Sequence, residues 1–146
     1  MKILVLNLMP NKIETENQIA NVFENKNFKI KFTFLRTASY KSKNTNFSYL
    51  EKNYKVFNEI FNLKFDGFIC TGAPVEKMNF DEVIYWEELK TIFKWVRKNS
   101  IPSYYICWGA QAALKIFYKI EKFTLGQKLS GIFDQTIIKE SEILKN

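Results

Sequence analysis

Histidine is missing from this chain of 146 residues. The chain therefore cannot supply the imidazole base that a cysteine nucleophile ordinarily uses. Cysteine is scarce as well. Only Cys70 and Cys107 are present, each in or at the end of an apolar run. Two such residues are expected as thiols, which implies a reducing, cytoplasmic setting. No apolar run is long enough to span a bilayer. No secretory-type leader is expected, because Met1-Lys2 passes straight into a strand-like run. Internal repeats and linker-like stretches are also missing, so residues 1–146 are expected to form one domain.

What is present is a substantial core. Apolar residues make up 47% of the chain and aromatics 16%, which excludes a disordered class. Lysine and arginine total 22 against 15 acidic residues, a formal charge of +7. The lysines are scattered, with no basic stripe interleaved with aromatics. A solvated lysine surface is expected, with no nucleic-acid or membrane partner. An anionic small substrate, such as a coenzyme A ester, would suit the same sign.

Strand-like and helix-like segments alternate four times. Ile3 to Leu8 is a continuous apolar run, broken by Met9-Pro10-Asn11. Lys12 to Glu24 predicts a helix that buries Ile13, Ile19 or Ala20, and Phe23. Phe28 to Leu35 alternates as a strand, Arg36 to Asn46 is a polar loop, and Phe47 to Phe61 has helical spacing. Gly67 to Thr71 is a third strand. Asp81 to Lys98 is the clearest helix, with Val83, Trp86, Leu89, Phe93 and Val96 as its buried stripe. Ser103 to Cys107 and Gly109 to Tyr118 form the fourth pair, and a further strand is expected around Leu129 to Phe133. The pattern predicts an α/β fold, a parallel sheet with helices on both faces.

In such sheets, ligands lie beyond the carboxyl ends of the strands. Asn7-Leu8-Met9-Pro10, Thr71-Gly72-Ala73-Pro74 and Cys107-Trp108 all fall at such ends, so three segments are expected to meet at one edge. Cys107 is expected at a sharp strand-to-helix turn, the usual mounting of an acyl-transferring nucleophile. A helix N-terminus aimed at the sulfur favours thiolate. Attack on a thioester creates an oxyanion that needs preorganised donors. The Trp108 N–H is one candidate, and the Gly72 or Ala73 N–H a second. The charge of Glu76, just after that loop, would repel an acyl group bearing its own carboxylate and tolerate a short neutral one. Lys12 and Lys128 could each meet a substrate carboxylate. No metal site is expected.

Longer motifs carry a specific resemblance. Asn7-Leu8-Met9-Pro10-Asn11-Lys12-Ile13-Glu14-Thr15-Glu16-Asn17-Gln18, Leu35-Arg36-Thr37-Ala38-Ser39-Tyr40, Thr71-Gly72-Ala73-Pro74-Val75-Glu76, Tyr85-Trp86 and Ile106-Cys107-Trp108-Gly109-Ala110-Gln111-Ala112 closely resemble the homoserine O-acyltransferases of the MetA type. Phe65-Asp66-Gly67 fits the same pattern, and the similarity runs from about Ile3 to Phe133. The resemblance implies a flavodoxin-like domain related to class I glutamine amidotransferases. It implies transfer of an acetyl or succinyl group from the acyl-CoA to L-homoserine, early in methionine biosynthesis, with Cys107 carrying the acyl group as a thioester. No bound cofactor is implied; acetyl-CoA is a co-substrate. In that family glutamate at the position of Glu76 goes with acetyl-CoA and glycine with succinyl-CoA, so acetyl is favoured. Lys128 matches a substrate-binding lysine in a Lys-Leu-x-Gly setting.

The chain departs from the family in extent. Relatives carry an extension before the first strand and continue well past residue 146, where the catalytic histidine and its glutamate lie. A position commonly histidine in relatives is here Gln135, after Asp134. The chain thus resembles the nucleophile-bearing half of an enzyme, apparently truncated, with self-association or a complementary C-terminal chain expected at its uncovered edge. A truncated, non-catalytic relic, or half of a split enzyme that binds a partner or CoA esters, is the alternative. Glutamine amidotransferase or peptidase chemistry on the same turn is a weaker third.

Overall fold

The computed structural model describes residues 1–24, 29–127, 129–139 and 141–142. Five parallel strands form one sheet: β1 (Lys2–Leu6), β2 (Lys31–Leu35), β3 (Tyr54–Lys55), β4 (Gly67–Cys70) and β5 (Ser103–Tyr105). Their spatial order is β3-β2-β1-β4-β5. The chain builds outward from β1 in one direction and then crosses to the other side of it. This reversal is that of a flavodoxin-like, doubly wound sheet. The predicted α/β parallel architecture is therefore observed.

Alternate side chains of β1 leave the sheet on opposite faces. Leu4 and Leu6 enter a core with Phe68, Trp86, Leu89, Ile92, Phe93 and Trp108. The helices supplying it are α4 (Trp86–Lys98) and α5 (Trp108–Tyr118). Helix α4 begins with Glu87 and Glu88 and ends with Arg97 and Lys98, which suits the helix dipole at both ends. All five residues of the predicted stripe are buried, four of them on α4 and Val83 just before it. On the opposite face, helix α1 (Lys12–Phe23) brings Phe23 against Phe32 of β2, with ring centroids 5.6 Å apart.

Four sequence expectations are corrected. First, α1 does not bury Ile13, which is 47% exposed; Lys12 and Thr15 are its buried residues. A hydrogen-bonding demand beneath the helix outweighs the apolar spacing. Second, residues 47–61 are not one helix. Helix α2 (Phe47–Asn53) stops, Tyr54–Lys55 pairs beside β2, and α3 (Phe57–Ile60) follows. A seven-residue helix has little stability of its own. Pairing with β2 satisfies the backbone and places Tyr54 against Phe34, centroids 5.6 Å apart. Third, the helix from Asp81 is interrupted. Phe80–Glu82 is a single 3-10 turn, closed by the Asn79 N–H donating to Glu82 at 2.8 Å. Val83 is extended and α4 starts only at Trp86.

Fourth, residues 129–133 are not a strand, and Leu129, Ile132 and Phe133 are exposed. Gly131 interrupts this short alternation, leaving little surface to pack. Among the described residues, no helix is long and apolar enough to cross a membrane.

These placements predict a contrast in stability. Phe93→Ala should cost roughly 3–5 kcal/mol by urea unfolding. Ile13→Ser, at a site an apolar-stripe reading would place inside, should stay within about 0.5 kcal/mol.

Candidate active site

The parallel ladder leads the chain to the site. At the carboxyl end of β5, the Ile106 N–H donates to the Cys70 carbonyl at 2.9 Å. The next residue, Cys107, has φ 52° and ψ −121°, and α5 begins immediately at Trp108. A positive φ at a residue with a Cβ costs on the order of 1–3 kcal/mol and persists only where its surroundings enforce it. Those surroundings can be named. The Gly109 N–H donates to the Ile106 carbonyl at 2.9 Å, and the Ala110 and Gln111 N–H groups converge on the Cys107 carbonyl at 3.0 and 3.2 Å. Trp108 is wholly buried, packed among Phe80, Tyr85 and Trp86.

Two glycines make the turn fit. A Cβ at Gly109 would lie 2.6 Å from the Thr71 carbonyl oxygen and 3.1 Å from Cys70 Sγ. A Cβ at Gly72 would lie 3.0 Å from Cys107 Cβ and 3.5 Å from its sulfur. The loop after β4 is therefore pressed against the cysteine turn, as expected. The Trp108 N–H, first in its helix, has no intrahelical carbonyl to reach. Gly72 and Ala73 are both buried, with Gly72 close against Cys107.

The two cysteines occupy opposite environments. Cys107 is exposed, whereas Cys70 is wholly buried and its thiol is pushed up by burial alone. Neither is in a disulfide. Glu76 is exposed and lines a hollow of about 590 Å³ with Gln111 and Lys115. Gln111 lies one turn beyond Cys107 on α5. Lys128 lies outside the described residues. Among the described residues, no group of three His, Cys, Asp or Glu could hold a metal ion.

One feature beside the site has no counterpart in the apolar spacing. Asn7, buried at the end of β1, donates to the Tyr54 hydroxyl at 2.9 Å and to the Lys12 carbonyl at 3.2 Å. Lys12 Nζ donates to the Asn7 and Met9 carbonyls at 2.6 and 3.2 Å. Glu16 accepts from Tyr54 at 2.5 Å and from Tyr49 at 2.6 Å. Burial lowers the Lys12 ammonium to about 8, opposed by Glu16 and assisted by Arg36. The hydrogen bond to Glu16 raises Tyr49 to about 12. Lys12 is thus committed to backbone carbonyls that shape the Asn7–Met9 turn. The signal in the sequence was a polar Asn closing an apolar strand.

The architecture and site together define an α/β domain with a cysteine at a strained strand-to-helix turn. The family model described as homoserine O-succinyltransferase matches residues 1–146. A homoserine O-acetyltransferase of Campylobacter jejuni (strain RM1221) is 49% identical over 145 residues, 99% of this chain and 50% of that protein. Those of Streptococcus thermophilus (strain ATCC BAA-491 / LMD-9) and Bacillus subtilis (strain 168) are 45% and 43% identical, over 100% and 98% of this chain. This chain belongs to the homoserine O-succinyltransferase family. It spans about half the length of the curated relatives it matches.

Two outcomes follow from this geometry. Iodoacetamide should alkylate Cys107 in the folded protein and leave Cys70 unmodified, as read by peptide mass. Gly109→Ala should cost about 1–3 kcal/mol and slow that alkylation, because the displaced turn re-aims the sulfur. Lys12 predicts a pH dependence. Its folded-state value lies below the unfolded one, so the unfolded chain binds more protons between about pH 8 and 10.5. Stability from this group rises with pH across that window. From pH 8 to 10 the wild type should gain ~2 kcal/mol relative to Lys12→Met in parallel urea titrations.

Proposed function

We propose that this chain carries the acyl-enzyme half of a homoserine O-acyltransferase reaction, with acetyl-CoA as the donor. The Cys107 sulfur attacks the thioester carbonyl. The coenzyme's carbon–sulfur bond breaks, its thiolate leaves and takes up a proton, and the acetyl group stays on Cys107. The Trp108 N–H and the Gly72 or Ala73 N–H stabilise the transient oxyanion. In the second half, the L-homoserine hydroxyl attacks the Cys107 thioester, forms the ester and frees the sulfur. That hydroxyl needs a base, and no histidine exists within these 146 residues. Lys128 holds the homoserine carboxylate, and Glu76 disfavours donors that carry a carboxylate of their own. The free cysteines suit a reducing cytoplasm.

The observation that carries this reading is the exposed Cys107 at φ 52°, with Gly72 against its sulfur. The kinship to homoserine acyltransferases supports the substrate class. A second reading is that acylation needs a complementary chain, since this chain spans about half the length of the relatives it matches. The apolar groove beside β5, about 570 Å³ and lined by Ile101, Tyr105, Ala113, Leu114 and Phe117, suits such a partner or a second copy.

Intact mass after incubation with acetyl-CoA decides between them. The proposal expects one stable acetyl adduct on the native chain and none on Cys107→Ser. Steady turnover should be slower than in a base-bearing relative by several orders of magnitude. No adduct on the native chain would overturn the proposal and favour the second reading. In the same assay, Glu76→Gly should raise the succinyl-to-acetyl adduct ratio by about tenfold or more, since like-charge contacts cost a kcal/mol or more.

A further inference from the structure

The loop that follows β2 builds a second feature at the same sheet edge. Its backbone is tied to α4: Glu88 accepts from the Ala38 N–H at 2.8 Å, the Ser39 N–H at 3.0 Å and the Ser39 hydroxyl at 2.5 Å. Tyr40 meets Tyr85 edge-on, with centroids 5.8 Å apart. Under this loop lie two hollows of about 180 and 290 Å³ that share Tyr40 and Ser42. The first holds Lys12 and Lys43; the second holds Arg36, Lys41 and Phe47. Among the described residues lining them, none carries a carboxylate.

These cations differ in what already occupies them. Lys12 is spent on two carbonyls. Lys41 and Lys43 are exposed; Arg36 donates from one terminal guanidinium nitrogen to the Thr37 carbonyl at 3.4 Å and lies 5.6 Å from the Phe47 ring centre, while its buried Nε has no acceptor among the described residues. Nearby carboxylates are committed elsewhere: Glu16 to two tyrosines, Glu59 to Lys55 and the Val56 N–H, Glu88 to the loop. The hollow beside Glu76 is mixed in charge, with Glu76, Asp81 and Glu121 against Lys77, Lys115 and Lys122. There Lys115 is paired with Glu121, Lys122 donates to the Glu76 and Met78 carbonyls, and Asp81 adds negative charge. An anion with several charges therefore meets less opposition under the Arg36–Asn44 loop.

The first hollow also reaches Pro74 and Val75, in the loop whose Gly72 touches Cys107. We propose that the cleft lined by Arg36, Lys41 and Lys43 binds the phosphate-bearing nucleotide end of the acyl donor, with its thioester arm running along the Gly72–Val75 loop to Cys107. Arg36 supplies a planar fork suited to phosphate, the two lysines supply point charges, and Phe47 offers an aromatic face to the base. The inference rests on the acyl-donor reading above, and two readouts separate their failures.

The first readout is binding of adenosine 3′,5′-bisphosphate to the full chain by calorimetry, with adenosine as the uncharged control. The bisphosphate should bind and adenosine should not. Lys41→Gln/Lys43→Gln, and separately Arg36→Gln, should each weaken binding about tenfold or more, as expected for loss of charge-assisted bonds. Lys115→Gln/Lys122→Gln should leave it unchanged. The second readout is the rate of Cys107 acetylation by acetyl-CoA against that by S-acetyl-N-acetylcysteamine, which carries the thioester without the nucleotide. The loop variants should lower the first rate about tenfold and leave the second alone. Unaltered bisphosphate binding in the loop variants, or an unaltered ratio of the two rates, overturns the proposal. If neither thioester acetylates Cys107, the acyl-donor reading fails instead, and bisphosphate binding still judges the cleft.

Discussion

The approach of the Thr71–Gly72 backbone to the first turn of α5 governs where the reactive sulfur stands. Gly109 leaves no room for a methyl group against the Thr71 carbonyl, and Gly72 leaves little beside Cys107 itself. With side chains at both positions, the helix would withdraw from the loop. The turn at Cys107 would then lose the contacts that hold its positive φ. The β4–β5 ladder fixes one side of this contact through the Ile106–Cys70 bond, and the buried Trp108 fixes the other. The energy stored in one unfavourable dihedral is thus offset by a core in which Trp108, Phe80, Tyr85 and Trp86 form a single aromatic cluster. Stability and the placement of the sulfur have the same physical origin.

Around that contact, the crossover at β1 gathers the other loops. Leu8 donates its N–H to the Thr71 hydroxyl at 2.8 Å, joining the segment after β1 to the segment after β4. Lys12, Asn7, Tyr54 and Glu16 then hold the first of these from below. Burial favours a neutral amine at Lys12, against the pull of Glu16, whereas burial and Glu16 together keep the Tyr54 phenol protonated. Such a polar core adds definition to a turn that apolar packing alone would leave loose.

The alternation of apolar runs made the sheet legible, since buried parallel strands are nearly continuous apolar stretches. Helix α4 was legible for the complementary reason: its stripe, its acidic start and its basic end all agree. The cysteine turn was legible because small residues after a strand-ending Cys restrict the backbone to few shapes. What escaped were features set by hydrogen bonding across long separations. The exposure of Ile13 follows from Lys12 being drawn inward, and the break at Tyr54 follows from a hydroxyl shared between Asn7 and Glu16. Local spacing does not contain either partner. The Glu88 tether of the Arg36–Tyr40 loop is likewise a contact across about fifty positions and leaves no periodic mark. The strand expected near Leu129 failed because Gly131 interrupts an alternation too short to bury a face.

The central claim is that the Cys107 sulfur, held at a strained turn by the two glycines, forms a thioester with an acyl donor. Its most direct measurement is the free coenzyme A released when excess acetyl-CoA meets the chain in the absence of homoserine. The account predicts a burst that plateaus at about one equivalent per chain and is lost in Cys107→Ser. A chain that releases no coenzyme A, or a burst that survives replacement of Cys107, would contradict it.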